Sequence, residues 1–317
     1  MKLLNRTLLT LAFLSLFAVG TQAQEGTTYA NQNSVLPVPF YEQLYKQRIW
    51  TRVDLKQKQN KGFFSKNREF TKLIIEAVEN DEITTYYSAA PGVPELDSVI
   101  TKEMFLNRLF MTDPSQIVVE AQPLYEEDFP YFENDRVEYN GKNYISVFPG
   151  DNLGNNPESS PDYWQPWAGE KPQKYFPTQI TMIEVMEDVI FDKRRSRQYN
   201  DVQSIKLMIP GEFTPDGVTK NIATFAYKDL EKYFRDNPEK ALWYNQYNGA
   251  ENRNLADAFL LRLFHGELYK VENPDDLSVQ EIYGVDENGQ PSPRAGLIGA
   301  ETLRMKMLER EHNLWSY

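Results

Sequence analysis

Acidic and aromatic side chains are concentrated in residues 125–170, and this break in composition limits what the chain can fold into. The stretch holds ten carboxylates against two cations, and ten of its 46 residues are aromatic, whereas 13% of the whole chain is aromatic. One continuous core would spread its rings and charges more evenly along the sequence. We therefore predict that residues 125–170 form a separate small module.

The module contains a signal for a β-hairpin. Tyr139 and Tyr144 stand in alternating apolar and polar patterns on either side of Asn140-Gly141. Asn and Gly tolerate the positive φ angles that a two-residue hairpin turn requires. We therefore predict a small all-β unit.

The spacing of the aromatic residues in this unit resembles that of small chitin-binding-type carbohydrate modules, which are often attached to secreted hydrolases. In such modules exposed rings stack on the faces of sugars. The resemblance implies a glycan contact at Tyr139, Tyr144, Trp164 and Trp167. The alternative is that these rings form the core of a unit that is too small to be stable without them.

The first 23 residues have the pattern of a signal peptide. Lys2 and Arg6 precede an apolar run, Leu8–Val19, which is shorter than the ~20 residues of a membrane span, and small residues stand before Gln24. The chain has no Cys, so it can form neither a disulfide nor a lipid anchor on cysteine. We expect an exported protein in which residues 24–35 form a linker. Such a protein would be attached to a membrane only through another protein.

The net charge of the chain argues against nucleic acid as a partner. It is -12, and it becomes -14 when Lys2 and Arg6 are removed with the signal peptide. Four cations nevertheless fall within five positions, at Lys193, Arg194, Arg195 and Arg197. We consider two interpretations: the arginines dock on carboxylates of a neighbouring subunit, or nearby acids of the same chain, Asp188, Asp192 and Asp201, neutralise them.

Short helices and strands alternate through the rest of the chain without a regular βαβ rhythm, which indicates the α+β class: a compact mixed core with a small all-β insertion. Apolar spacing predicts helices at 67–81, with Asn67 as a cap, and at 102–110, 227–237 and 252–264. Strands are predicted at 48–55, 82–87 and 266–273. The apolar residues at 182–190 fit a helical period as well as strands, and we favour a pair of strands on either side of the basic turn at 193–197.

The end of the chain has an apolar stripe at near-helical spacing, formed by Leu303, Met307, Leu314 and Trp315. A chain end is usually disordered unless something binds it. We therefore predict that this helix attaches to a partner.

No arrangement of residues in the sequence supports catalysis, a metal site or a cofactor. His265 and His312 are the only histidines, and neither belongs to a His-Glu-x-x-His motif. The acids at 184–192 are followed directly by the basic cluster, which would keep them ionised and unsuited to act as a general acid. We expect a protein that is not an enzyme.

Several long segments together resemble the gliding-motility GldN family, called PorN in non-gliding bacteria. They read RIWTRVDLKQKQNKGFFS, VIFDKRRSRQYNDVQSIKLMIP, LWYNQYNGAENRNLADAFLLRLF and YKVENP. The resemblance covers most of 36–124 and 171–317, so these two parts would form one core. The module at 125–170 departs from the resemblance and is interpreted as an insertion in a loop.

The resemblance implies a structural role in the type IX secretion and gliding-motility machinery. Members of the family build a periplasmic ring with the outer-membrane lipoprotein GldK (PorK) and contact the periplasmic part of GldM (PorM). We therefore expect self-association in a ring at the inner face of the outer membrane. The alternative is a secreted carbohydrate-binding protein or a glycan-active enzyme.

Overall fold

The structure is a computed structural model that describes residues 29–87, 96–111, 121–167, 173–286 and 289–314. The predicted signal peptide at 1–23 and the candidate residue Trp315 lie outside these ranges. Within them the strands, numbered along the chain, are β1 Gln43–Asp54, β2 Phe64–Ser65, β3 Arg68–Glu69, β4 Arg136–Tyr139, β5 Lys142–Ser146, β6 Trp164–Pro166, β7 Met182–Asp192, β8 Arg197–Ile209, β9 Lys220–Ala226, β10 Leu242–Trp243, β11 Arg253–Asn254 and β12 Glu267–Val271. The α-helices are α1 Phe70–Glu79, α2 Lys102–Arg108, α3 Tyr227–Asp236, α4 Leu255–Leu260, α5 Val279–Tyr283 and α6 Pro293–Leu314.

A five-stranded antiparallel sheet in the order β12-β1-β7-β8-β9 forms the centre of the fold. β7 and β8 are the two long strands predicted on either side of the basic turn, and they pair from Met182 with Met208 to Asp192 with Arg197. Because β7 is the middle strand, almost every residue along it is buried. The mixture of this sheet with separate helices confirms the α+β class.

One face of the sheet is covered by α1, α3 and α4. The apolar positions of α1 that the sequence places on one side, such as Phe70 and Ile74, are buried against Val185, Leu207 and other residues of the sheet. Rings of three helices meet here, because Phe70 lies 5.3 Å from Phe259 and 6.0 Å from Phe234 between centroids. This is the main core of the molecule.

Two local predictions are wrong. Asn67 does not cap α1: it has φ 65°, and its N–H donates to the Glu69 carboxylate at 2.9 Å, while the short β2–β3 hairpin delays the start of the helix to Phe70. Residues 82–87 do not form a strand, because only Tyr86 forms bridges, to Val99 and to Thr224.

The C-terminal helix α6 packs on its own chain, against a second and smaller core. Leu303 and Met307 contact a cluster that contains Ile49, Val189 and Leu268 of the sheet. The prediction of a helix here is confirmed. The expectation that its stripe is free for a partner is wrong for Leu303 and Met307, since the same face of the sheet continues beneath them. Leu314 is half-buried at the end of the helix.

The module is a three-stranded sheet, β4-β5-β6, with a core of its own. Asn140 and Gly141 have φ angles of 53° and 73°, which confirms the predicted hairpin turn. Pairing begins slightly before residue 125, because the N–H of Glu138 donates to the carbonyl of Pro123 at 2.8 Å. Apart from a bridge between Glu138 and Leu124, the pairing partners of the three strands that the described residues show lie within the module.

Removing the module should leave the rest of the protein folded. In the described residues its strands pair with one another and with the residues just before them, at Pro123 and Leu124, and its aromatic cluster is distinct from the two core clusters. A deletion that joins Ala121 to Gln173 through a short Gly/Ser linker therefore keeps both cores. We expect the midpoint of thermal unfolding to change by less than about 4 °C, which corresponds to roughly 1 kcal/mol. An insoluble product, or a loss of 10 °C or more, would show that the module is part of the core.

Candidate functional site

The acids of β7 form ion pairs with cations from the neighbouring strands of the sheet. The register places Glu184 between Arg52 of β1 and Lys206 of β8, with N–O distances of 3.1 and 2.6 Å. It also places Asp188 opposite Arg48, whose side chain binds both carboxylate oxygens at 2.7 and 3.0 Å, while Lys46 lies 2.9 Å away. Both carboxylates are buried, and the cations lie above them.

These pairs keep Glu184 and Asp188 ionised. Burial alone would raise the pKa of each acid, but Lys206 and Arg52 outweigh burial at Glu184, and Arg48 and Lys46 outweigh it at Asp188, so both pKa values are lowered. A general acid needs the opposite, a raised pKa. The two carboxylates therefore fit a structural role, although their partners come from β1 and β8 rather than from the basic cluster that follows them in the sequence.

Glu187 faces the other side of β7, between the two cores, and is completely buried. Arg262 Nη2 donates to its Oε2 at 2.8 Å, while its Oε1 has no hydrogen-bond partner in the part of the chain that is described. Burial outweighs the attraction of Arg262 and raises the pKa of Glu187. This carboxylate depends on a single partner from a loop far along the chain.

Asp201 lies opposite Asp188 in the β7–β8 ladder. Burial, together with the nearby negative charge of Asp188, raises its pKa to about 6, despite a hydrogen bond of 2.6 Å from Gln203 and the positive charge of Lys46. Asn31 of the N-terminal segment in turn donates to Gln203 at 2.6 Å. Asp201 thus lies beneath a contact between the segment and the sheet.

Replacing Asp201 with asparagine should stabilise the protein, and more so at high pH. A folded-state pKa of about 6, above the ordinary 3.8, means that the folded state binds the proton more tightly, so wild-type stability falls between about pH 4 and pH 6 and stays low above that range. At ~1.4 kcal/mol per pKa unit, the substitution should raise the free energy of unfolding by up to about 3 kcal/mol at pH 8 and by about half of that at pH 5. Urea unfolding at both pH values measures it, and equal gains at the two would contradict a titration effect.

The turn between β7 and β8 carries the basic cluster, and Asp192 fixes its shape. The buried carboxylate of Asp192 accepts the backbone N–H groups of Arg194 and Arg195 at 2.8 and 3.1 Å and the guanidinium of Arg195 at 2.8 Å. Ser196 completes the turn with φ 48°. Burial would raise the pKa of Asp192, but these hydrogen bonds outweigh it and lower the pKa. The turn is thus pre-organised by one carboxylate.

The arginine side chains point outward from this turn. Arg194 binds Glu42 at 3.0 Å yet is 73% exposed, and Arg195 is 56% exposed. The Arg197 guanidinium lies 5.4 Å from the ring centre of Tyr199. Of the three acids expected to neutralise the cluster, only Asp192 does so, because Asp188 binds β1 and Asp201 contacts Gln203. A role of Arg194, Arg195 and Arg197 in an interface stays a prediction.

The four candidate glycan-binding rings differ in exposure. Tyr144 and Trp164 are buried in the core of the module, where the Trp164 N–H donates to the carbonyl of Asn155 at 2.8 Å. A sugar cannot stack on them in this conformation. Tyr139 is half-buried and accepts a hydrogen bond from Asn156, while the Arg136 guanidinium lies 4.5 Å from the ring centre of Trp167. Glycan contact stays a prediction for Tyr139 and Trp167 alone.

A second basic region, residues 55–68, is not among the site residues predicted from the sequence. It holds five cations and no carboxylate, and so carries more net charge than the arginine turn. This region and residues 244–252 line a pocket of about 700 Å³, whose wall includes Lys56, Lys61, Lys66, Arg68, Phe64 and Tyr244. The net charge of short windows of sequence identifies these five cations as a group. That they line a pocket could not be predicted in this way, because the other wall of the pocket comes from a segment about 180 residues away.

The described residues offer no sign of a metal centre or a membrane span. No group of three or more His, Cys, Asp or Glu side chains within them is arranged to hold a metal ion. Their helices also lack the combination of length and hydropathy needed to cross a bilayer. His265 lies before β12, where its backbone N–H donates to Asn60 Oδ1 at 2.8 Å. His312 lies in the last turn of α6.

Comparison with known proteins gives one clear result. No curated protein matches the chain. The family model described as gliding motility associated protein GldN, however, matches residues 38–316 of the 317, a range that contains the sheet, both cores, the arginine turn and the module. The chain therefore belongs to the GldN family of gliding motility associated proteins.

Proposed function

We propose that this protein is a non-catalytic structural subunit of the type IX secretion and gliding-motility machinery. In this proposal it is exported to the periplasm and forms a ring at the inner face of the outer membrane with the lipoprotein GldK (PorK). It also contacts the periplasmic part of GldM (PorM). The observation that carries the proposal is the match of the GldN family to residues 38–316.

The surface of the molecule supports a role in assembly. The arginine turn is rigid at its base, because Asp192 binds its backbone, and its guanidinium groups are exposed at its tip. Arginine forks pair well with carboxylates of another protein. The acids of the sheet are engaged in internal ion pairs, which suits a scaffold.

Co-expression with the lipoprotein GldK (PorK) tests the proposal. We expect the two proteins to co-purify from the outer-membrane fraction in a particle far larger than the 37.0 kDa of this chain. Size measurement by sedimentation, with and without the lipoprotein, is sufficient. A protein that stays monomeric in both samples and is retained on chitin or peptidoglycan would instead support a carbohydrate-binding protein.

A further inference from the structure

The pocket between residues 55–68 and 244–252 is lined by both basic and apolar side chains. Lys61, Lys66 and Arg68 are exposed, and no carboxylate is among the ten residues that line the pocket. No ion pair to any of these three cations is found in the described residues. Leu55, Phe64 and Tyr244 supply the apolar wall. A volume of about 700 Å³ lies within the range of ~300–1,000 Å³ that is usual for ligand pockets.

This chemistry selects an acidic peptide that carries an aromatic side chain. Several cations without acidic partners, in a protein of net charge -12, produce a local positive field that attracts anions and repels other cations. An apolar wall adds affinity for a ring placed next to those anions.

The module of the same protein displays such a peptide in its loop at 126–133. This acidic loop reads EEDFPYFE and has four carboxylates and no cation. Phe129 and Phe132 are 51% and 56% exposed, so both rings are accessible to a partner. Glu126, Glu127 and Asp128 are also exposed.

The acidic loop is held in one shape. Tyr131 between the two exposed rings is buried in the module core, and its hydroxyl accepts the N–H of Glu126 at 2.7 Å. The N–H of Phe132 donates to the Asp135 carboxylate at 2.7 Å. A loop that is already ordered loses less entropy on binding, which favours recognition by a partner.

We propose that the acidic loop of one copy of this protein docks into the basic pocket of a second copy. The inference rests on the proposed function as a ring subunit and names a contact that would join neighbouring subunits. Pocket and loop are different surfaces, so the contact is heterologous, and repeated heterologous contacts close into rings when the rotation permits. The module would then supply subunit contacts rather than sugar binding.

A charge swap tests the docking directly. The pocket variant carries Lys61→Glu and Lys66→Glu, and the loop variant carries Glu127→Lys and Asp128→Lys. Each variant alone should lose self-association at least tenfold by sedimentation over a range of concentrations, because its two substitutions cancel the net charge of the pocket cations or of the loop and so remove the attraction between pocket and loop. An equal mixture of the two should recover part of the association, since the unaltered pocket of the loop variant can bind the unaltered loop of the pocket variant.

The control variant, Lys232→Glu and Lys306→Glu, reverses two exposed lysines of α3 and α6 and should associate like wild type. Unchanged association of the pocket variant, or no recovery in the mixture, would overturn the inference. So would a wild-type chain that is monomeric at every concentration, as expected if the loop occupied its own pocket. Co-purification with the lipoprotein is scored separately: if it persists while the swap has no effect, the proposed function stands and the inference fails.

Discussion

Replacing Arg262 with alanine should lower the free energy of unfolding by about 3 kcal/mol, the largest loss of stability that we expect from any single substitution here. Within the part of the chain that the structure describes, Arg262 is the one partner of Glu187, a carboxylate that is fully buried between the two cores. Removing one member of a buried pair typically costs ~3–5 kcal/mol, because the remaining charge is uncompensated. Since Arg262 itself is 38% exposed, and water therefore screens the pair in part, we take the lower end.

The pH dependence of the Arg262→Ala variant identifies the cause. Burial raises the pKa of Glu187 even in the wild type, and losing Arg262 should raise it further. A raised folded-state pKa means that stability is lost as the pH rises, so the defect should be larger at pH 8 than at pH 5. Urea unfolding at the two pH values measures this difference.

A second substitution separates the charge of Glu187 from the packing of Arg262. Glu187→Gln in the Arg262→Ala background should restore most of the stability and remove the added pH dependence, because the amide carries no charge to desolvate. Arg235→Ala provides a control. Like Arg262, Arg235 forms ion pairs with carboxylates, here Glu231 and Asp257, but these pairs lie on the surface. Its cost should stay within ~1 kcal/mol. An equal defect at both pH values would indicate lost packing instead.

Local patterns in the sequence predicted the central hairpin and most helices. The apolar run at 182–191, the basic turn and the strand that ends at Pro210 are neighbours in the chain, so their pairing needs no information from elsewhere. Likewise Asn254 caps α4 through a hydrogen bond of 2.8 Å to the N–H of Ala256, two residues away. Such signals act within a few residues and can be read directly.

The partners of the buried acids could not be predicted in the same way. Glu184, Glu187 and Asp188 precede a basic cluster, and the sequence predicts that this cluster supplies their counter-ions. The sheet order instead places β1 between β12 and β7, so that cations of β1 lie beside the acids of β7. Arg48 therefore meets Asp188 across 140 residues of sequence. The order of strands depends on how all the elements pack, and no local pattern encodes it. The same limit applies to the pocket, whose two walls are distant in sequence.

The C-terminal helix illustrates a different limit. Its apolar stripe was read correctly as a packing surface, but periodicity does not say whether that surface meets the same chain or another one. The structure places Leu303 and Met307 on the second core, together with Ile49 and Val189. The outer side of the helix instead exposes Ile298, Met305 and Leu308.

Neutralising the arginine turn should weaken assembly at least tenfold while the subunit stays folded. The variant replaces Arg194, Arg195 and Arg197 with glutamine, because glutamate would place new charges beside the buried carboxylates of Asp192 and Glu42. The backbone N–H groups of residues 194 and 195 still bind Asp192, so the turn keeps its shape. Because the side chains are largely exposed and water screens their internal ion pairs, losing those pairs should cost the fold little stability.

The cost at an interface should be much larger than the cost to the fold. A desolvated ion pair broken on one side loses roughly 2–5 kcal/mol, which is more than tenfold in affinity. Binding to the co-expressed lipoprotein and self-association are measured at low and high salt, next to thermal unfolding of the isolated variant. High salt should weaken the wild-type contact and narrow its difference from the variant.

A control variant with Lys232, Arg235 and Arg294 replaced by glutamine removes the same charge from other exposed positions. It should assemble like wild type. The control and the arginine-turn variant have the same net charge and differ only in the positions from which charge is removed. Loss of folding in the arginine-turn variant, without a separate binding defect, would mean that the cluster serves its own domain through Asp192 and Glu42. Unchanged folding and assembly would show that the arginines are solvated, in which case the interface must lie on another surface.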